Sequence, residues 1–163
     1  MIKPTGPLII NLDSLILSKN ESDILLDHAI GGVILFNHNY SNTSQVKSLI
    51  SSIKDIRDNI IIAIDHEGGR VQRFKDGFTL LPSFSEISQL YNQDHAAAQE
   101  VAYSCGYVAG YELKMIGVDI NFSPVVDLTS RSIVMSGRTL STSPEVVISL
   151  ASSYIRGLID NGI

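Results

Sequence analysis

The densest concentration of groups able to do chemistry lies in one run, Ile64-Asp65-His66-Glu67-Gly68-Gly69-Arg70-Val71-Gln72-Arg73-Phe74. A carboxylate closes an apolar stretch, two glycines allow a sharp turn, and two guanidinium groups follow. Aspartate accepts hydrogen bonds from hydroxyls and arginine offers a planar fork of donors, so such a loop suits a polyhydroxylated ligand. The same residues also fit Asp65 as a turn cap with Arg70 and Arg73 solvated, and composition leaves both readings open. A metal site at Asp65, His66 and Glu67 is not expected. Consecutive residues at a strand end point to opposite faces, and no second His/Glu pair stands at helical spacing. Arg138, in Met135-Ser136-Gly137-Arg138, reads in isolation as a surface arginine, and Arg57 as a solvated helix arginine. Cys105 falls on an apolar helical stripe and reads as core, while His28 and His95 read as surface residues at helix ends.

Elements must hold these side chains. Four apolar runs, at residues 8–11, 33–36, 60–64 and 118–122, read as strands, each followed by polar residues. Between them apolar residues recur at helical spacing. Val46, Leu49, Ile50, Ile53 and Ile56 form one stripe, opened by Asn42 or Thr43. Val101, Cys105, Val108, Leu113 and Ile116 form another, ended by Gly117, and Val147, Leu150, Tyr154 and Leu158 a third, after Ser143 and Pro144. Ser18 and Glu21 have capping-box spacing for a short helix in the first crossover. Alternating strands and helices predict an α/β fold with a parallel sheet. Ligands of such sheets meet the carboxyl ends of the strands, where Asn11, Asp13, Asn37, His38, Asn39, Asp65, His66, Glu67, Asn121, Ser123 and Asp127 stand. Residues 68–92 exceed what a crossover loop needs and are expected to be irregular and functional.

Composition narrows the classes. Twelve basic and seventeen acidic side chains among 163 residues give a net charge of −5, which offers phosphate backbones no attraction, so a nucleic-acid partner is not expected. Apolar residues make up 44% of the chain, enough for one folded domain. No run approaches the roughly 20 apolar residues that cross a bilayer, so no membrane partner is expected either. Prolines interrupt Met1-Ile2-Lys3-Pro4-Thr5-Gly6-Pro7 where a signal peptide needs an apolar centre, and Cys105 has no internal partner for a disulfide. A cytoplasmic chain starting at Met1 is the expectation.

Three segments carry a resemblance. Gly31-Gly32-Val33-Ile34-Leu35-Phe36 with Asn39-Tyr40, then 64–73, then Gly117-Val118-Asp119-Ile120-Asn121-Phe122-Ser123-Pro124-Val125-Val126-Asp127, are similar in order and spacing to the N-terminal half of bacterial β-N-acetylglucosaminidases (β-hexosaminidases) of glycoside hydrolase family 3. The resemblance covers nearly the whole chain and implies a partial TIM (β/α)8 barrel, about the first four βα units, with residues 1–163 as a truncated N-terminal barrel domain. It implies hydrolysis of terminal β-linked N-acetylglucosamine, as in cytosolic peptidoglycan recycling, without a cofactor. By position, the sugar-binding residues would be Asp65, Arg73 and Arg138, with Arg70 and Asp127 orienting them.

The chain departs from the family pattern at His38, where relatives carry arginine, and at Ser136-Gly137 before the loop arginine. In relatives the Lys-His pair, the acid/base histidine and the nucleophilic aspartate fall beyond the equivalent of Ile163. Residues 1–163 are therefore expected to carry sugar-binding groups without the nucleophile and acid/base, and to be inactive alone. Four strands are half of eight, and a full barrel takes about 250 residues. A split or truncated enzyme completed by a separate C-terminal half is one expectation, with unpaired first and fourth strands. Two others stay open: a small doubly wound ligand-binding or receiver-like domain with Asp65 as phosphoacceptor, and a noncatalytic interaction protein using its edges.

Overall fold

A computed structural model describes residues 6–163, so the start of the proline-broken N-terminal segment lies outside the described residues. Strands β1 (Leu8–Asn11), β2 (Ile30–Leu35), β3 (Ile61–Ile64) and β6 (Ile120–Asn121) form one sheet in the order β1-β2-β3-β6, every neighbouring pair parallel. Order in space follows order in sequence. The reversal at which doubly wound sheets open their ligand crevice is missing from this sheet, so the doubly wound alternative gives way to successive staves of a barrel. β2 starts three residues before the apolar run at Val33. The β6 ladder is shorter than its run, but Asp119 N–H donates to the Ile62 carbonyl and Phe122 N–H to the Ile64 carbonyl, each at 2.8 Å, extending the attachment at both ends.

The helices begin where polar caps stand. At α1 (Lys19–Leu25) the Ser18 hydroxyl accepts from Glu21 N–H at 3.2 Å while the Glu21 carboxylate accepts from Ser18 N–H at 2.8 Å, the reciprocal pair its spacing implied. Asn42 caps α2 (Thr43–Ile56). The helix α4 (His95–Ile116) starts six residues earlier than the Val101 stripe, because Asp94 caps it and three alanines propagate it; Gly117, at φ 96°, ends it. The helix α5 (Pro144–Ile159) carries its proline in the first turn. In the span expected to be irregular, β4 (His66–Gly68) and β5 (Val71–Gln72) form an antiparallel hairpin, and α3 (Phe84–Tyr91) follows a second capping box at Ser83 and Glu86.

Val33, Leu35, Ile62 and Ile64 pack against Val46, Leu49, Ile50 and Ile53 of α2 and Leu113 and Ile116 of α4. The alternate residues, Ile9, Gly32, Ile34, Ile61 and Ala63, join neither apolar cluster and line the opposite face of the sheet, the inner side of a barrel wall. A second cluster joins α3, α4 and α5 around Phe84, Ala102, Leu150 and Tyr154. There α4 and α5 touch through glycine, and a Cβ at Gly157 would stand 2.3 Å from the Tyr103 carbonyl oxygen. Arg57 is not the solvated helix arginine its sequence position suggests. Its Nη1 donates to the carbonyls of Leu25, Asp27 and Ile30, tying the end of α2 to the entry of β2.

Candidate functional site

The third strand delivers the site. Past Ile64 the backbone stays extended, so Asp65 and Glu67 point to one side and His66 to the other. The two glycines then reverse the chain: Gly68 and Gly69 have φ of 96° and 54°, and a Cβ on Gly68 would lie 2.4 Å from the Pro82 carbonyl oxygen. Through this turn Arg73 returns beside Asp65, donating from Nη2 to Oδ2 at 2.9 Å. Its guanidinium lies over the Phe36 ring, 5.2 Å from the centroid, and its Nε is buried without a protein partner. Asp65 and Arg73 side chains keep about a quarter of their surface exposed, at 27% and 24%.

Arg138 arrives from the loop after β6. Its Nε donates to the Glu67 carboxylate at 2.9 Å and Nη2 at 2.6 Å, a fork-to-fork pair in which the Glu67 side chain is 2% exposed. Hydrogen bonding to Glu67, with the charges of Glu67, Asp65 and Asp127 behind it, raises the pKa of Arg138 further above its ordinary value. Arg70 does not reach this cluster. It is exposed and donates from Nε to the Ser136 carbonyl at 3.1 Å and from Nη2 to the Val134 carbonyl, gripping the loop that carries Arg138. Asp127 is exposed and reaches Arg138 only through its field. The base of the loop is closed by Thr129 N–H donating to the Ser141 carbonyl and by the Thr129 and Thr139 hydroxyls, both contacts 2.8 Å.

His66 is fully buried and stands among Phe74 and Phe78, at centroid distances of 6.2 and 5.7 Å, with neither ring nitrogen hydrogen-bonded. Burial, reinforced by the Arg73 charge, pushes its pKa down to about 4. Asn121 brackets its backbone, accepting from His66 N–H at 2.9 Å and donating to its carbonyl at 3.0 Å. Asp65, His66 and Glu67 thus share no focus, and among the described residues no three carboxylate, imidazole or thiol groups are placed to hold a metal. His38, the departure from the family pattern, contacts the Leu12 carbonyl through Nε2 at 2.8 Å and stacks on Phe36. Cys105 is buried and its thiol is pushed up to about 11. Sequence reasoning placed Glu67 on the rim but missed its pairing with Arg138. Its spacing of two from Asp65 on a strand was the available signal, since that spacing puts both carboxylates on one face.

Consecutive parallel staves, with a carboxylate–guanidinium cluster at the carboxyl end of the third, have the layout of a (β/α)-barrel. Residues 9–163 match the glycosyl hydrolase family 3 N-terminal domain, and the chain belongs to that family. A β-hexosaminidase of Aromatoleum aromaticum is 42% identical across 99% of this chain and 46% of its own length. The crystal structure of NagZ from Neisseria gonorrhoeae in complex with N-trifluoroacetyl-D-glucosamine superposes with a TM-score of 0.95 at 40% identity, covering 98% of this chain and 49% of that one. A family 3 β-N-acetylglucosaminidase from Paenibacillus sp. gives a TM-score of 0.86 at 27% identity, over 95% and 30% of the two chains. The chain spans about half the length of the curated relatives it matches.

Proposed function

We propose that residues 1–163 form the sugar-gripping half of a β-N-acetylhexosaminidase barrel, with Asp65, Arg73 and Arg138 contacting a terminal β-linked N-acetylglucosamine. One observation carries the reading. At the carboxyl end of β3, Asp65 and Arg73 form a partly exposed pair beside Arg138, in a chain 40% identical to a protein crystallised with a glucosamine derivative. Asp65 uses one oxygen on Arg73 and has a second for a sugar hydroxyl. The chemistry of hydrolysis needs a nucleophile and an acid/base group beyond these residues, which the other half of the barrel would supply, on this polypeptide or on a separate one. The exposed apolar residues at the sheet edges, Leu8 and Ile9 on β1 and Ile120 on β6 with Phe122 beyond it, support such a covering partner. Breakdown of peptidoglycan fragments in the cytoplasm is the setting that fits this substrate; no described helix is long and apolar enough to cross a membrane.

The test is binding of N-trifluoroacetyl-D-glucosamine to the chain, followed by fluorine NMR. The expected result is saturable broadening that Asp65→Asn and Arg73→Met each weaken by tenfold or more, since each removes charge-assisted hydrogen bonds worth about 1.5–3 kcal/mol. Equal affinity in both variants would remove these residues from the site. Hydrolysis of a chromogenic β-N-acetylglucosaminide is expected only when the other barrel half is supplied.

A further inference from the structure

The proposed site depends on where the Arg138 guanidinium sits, and the fold gives that group two supports that are not themselves placed to grip a sugar. The Glu67 carboxylate takes the Nε/Nη2 edge of the guanidinium, while Nη1 has only distant contacts, at 3.5 Å to the Val134 carbonyl and 4.0 Å to the Met135 sulfur. One edge is fully engaged and one nitrogen is left as a donor. Glu67 is buried, so its carboxylate has little access to a ligand. Its position is set by β4, which the Gly68-Gly69 turn and the Asn121 bracket on His66 lock in place. The loop carrying Arg138 is tied independently, by Arg70 on the carbonyls of Val134 and Ser136.

We infer that Glu67 is a positioning residue: its buried carboxylate aims Nη1 of Arg138 at the ligand and thereby sets affinity for the sugar without touching it. The inference deepens the proposed function and rests on it for the ligand. The physical reason is entropic and electrostatic together. A free arginine side chain samples many rotamers, and a guanidinium locked by a fork has already given up that freedom before the sugar arrives. Arg70 plays the complementary part, holding the backbone of the loop instead of the side chain.

Two readouts test it on the full chain. The first needs no ligand: the Nε–H cross-peaks of arginine in a nitrogen–proton correlation spectrum at neutral pH. Arg138 Nε–H, donated to a buried carboxylate, is expected to give a slowly exchanging peak. Glu67→Gln is expected to shift that peak and abolish its protection while the backbone amide pattern stays native. An unprotected Arg138 peak in the parent chain, or one unchanged by Glu67→Gln, would overturn the proposal whatever the sugar does. The second readout is affinity for N-trifluoroacetyl-D-glucosamine. Glu67→Gln is expected to weaken it about tenfold, the factor of roughly one lost charge-assisted hydrogen bond. Arg138→Lys is expected to weaken it similarly, and the double variant no more than either alone, because both remove the same aligned donor. Additive losses would show that Glu67 acts on the ligand by another route and overturn the proposal. Should Glu67→Gln lose its native amide pattern, Arg138→Lys alone carries the affinity test, and retention of full affinity there refutes the aimed donor. Failure of the parent chain to bind the sugar would instead refute the proposed function and leave the arginine spectrum to decide on Glu67.

Discussion

Acidification should destabilise this protein through His66 before most of its carboxylates are protonated. The imidazole is 0% exposed, has no hydrogen-bond partner on either nitrogen, and faces Phe74 and Phe78 with the Arg73 charge nearby. Its folded pKa is about 4 against an ordinary 6.5. Because the folded value is the lower one, the unfolded chain binds more protons between these limits, so stability rises with pH across the window. The contribution is complete above about pH 6.5 and drains away as pH falls toward 4. At about 1.4 kcal/mol for each pH unit separating the two values, the loss reaches about 3 kcal/mol, a substantial share of the 5–15 kcal/mol typical of a domain. The assay is urea unfolding of the parent chain and of His66→Leu at several pH values from 7.5 to 4. The parent curve should steepen below pH 6.5 and the variant curve should stay nearly flat until the carboxylates that hydrogen bonding holds below their ordinary range, Glu21, Glu86 and Glu145, begin to protonate. Parallel curves from pH 7 to 5 would refute the reasoning, since they would mean that the buried ring takes up its proton at no cost.

Two further expectations concern packing. Gly157→Ala would gain about 1 kcal/mol on an exposed helix, but here the new methyl would meet the Tyr103 carbonyl oxygen at 2.3 Å, so the sign should reverse. A net loss of about 2 kcal/mol, read as a Tm about 4–8 °C lower, is expected, and an unchanged or raised Tm would show that α4 and α5 separate freely. Cys105, buried and with its thiol pushed up to about 11, should not react with an aromatic disulfide reagent at pH 8 until urea is added. Rapid labelling of the folded chain would contradict that burial.

The strands were readable because a parallel sheet buried under helices needs continuous apolar runs, and all four appear in the ladder near the positions their residues suggest. What sequence periodicity missed follows from the same physics. The first turns of α4, His95 to Gln99, are mostly alanine and polar residues and carry no apolar stripe, so only the Asp94 cap marks the start. The β4–β5 hairpin and α3 were hidden because two-residue ladders lie below the length at which alternation shows, and because Gly68 and Gly69 read as loop formers whether or not strands flank them. Arg57 was misread since its partners are backbone carbonyls more than twenty residues away, which no local pattern encodes.

The site divides along the same line, and the division says what half a barrel can do. Asp65 and Arg73 are eight residues apart and meet through a single glycine turn, so one local segment fixes both. Arg138 is 71 residues from Glu67 and meets it only after β6 has paired with β3 and the loop has folded back under Arg70 and the Thr129–Thr139 contact. All of these ties run between segments that residues 6–163 contain. The groups proposed to face the ligand are therefore held by contacts within residues 6–163, whereas the proposed reaction also requires a nucleophile and an acid/base group. That separates two properties usually measured together: affinity for the sugar should survive in this half by itself, and turnover should depend on the other. A chain that bound the sugar only when the second half was present would show that the Asp65, Arg73 and Arg138 constellation needs the closed barrel to hold its shape.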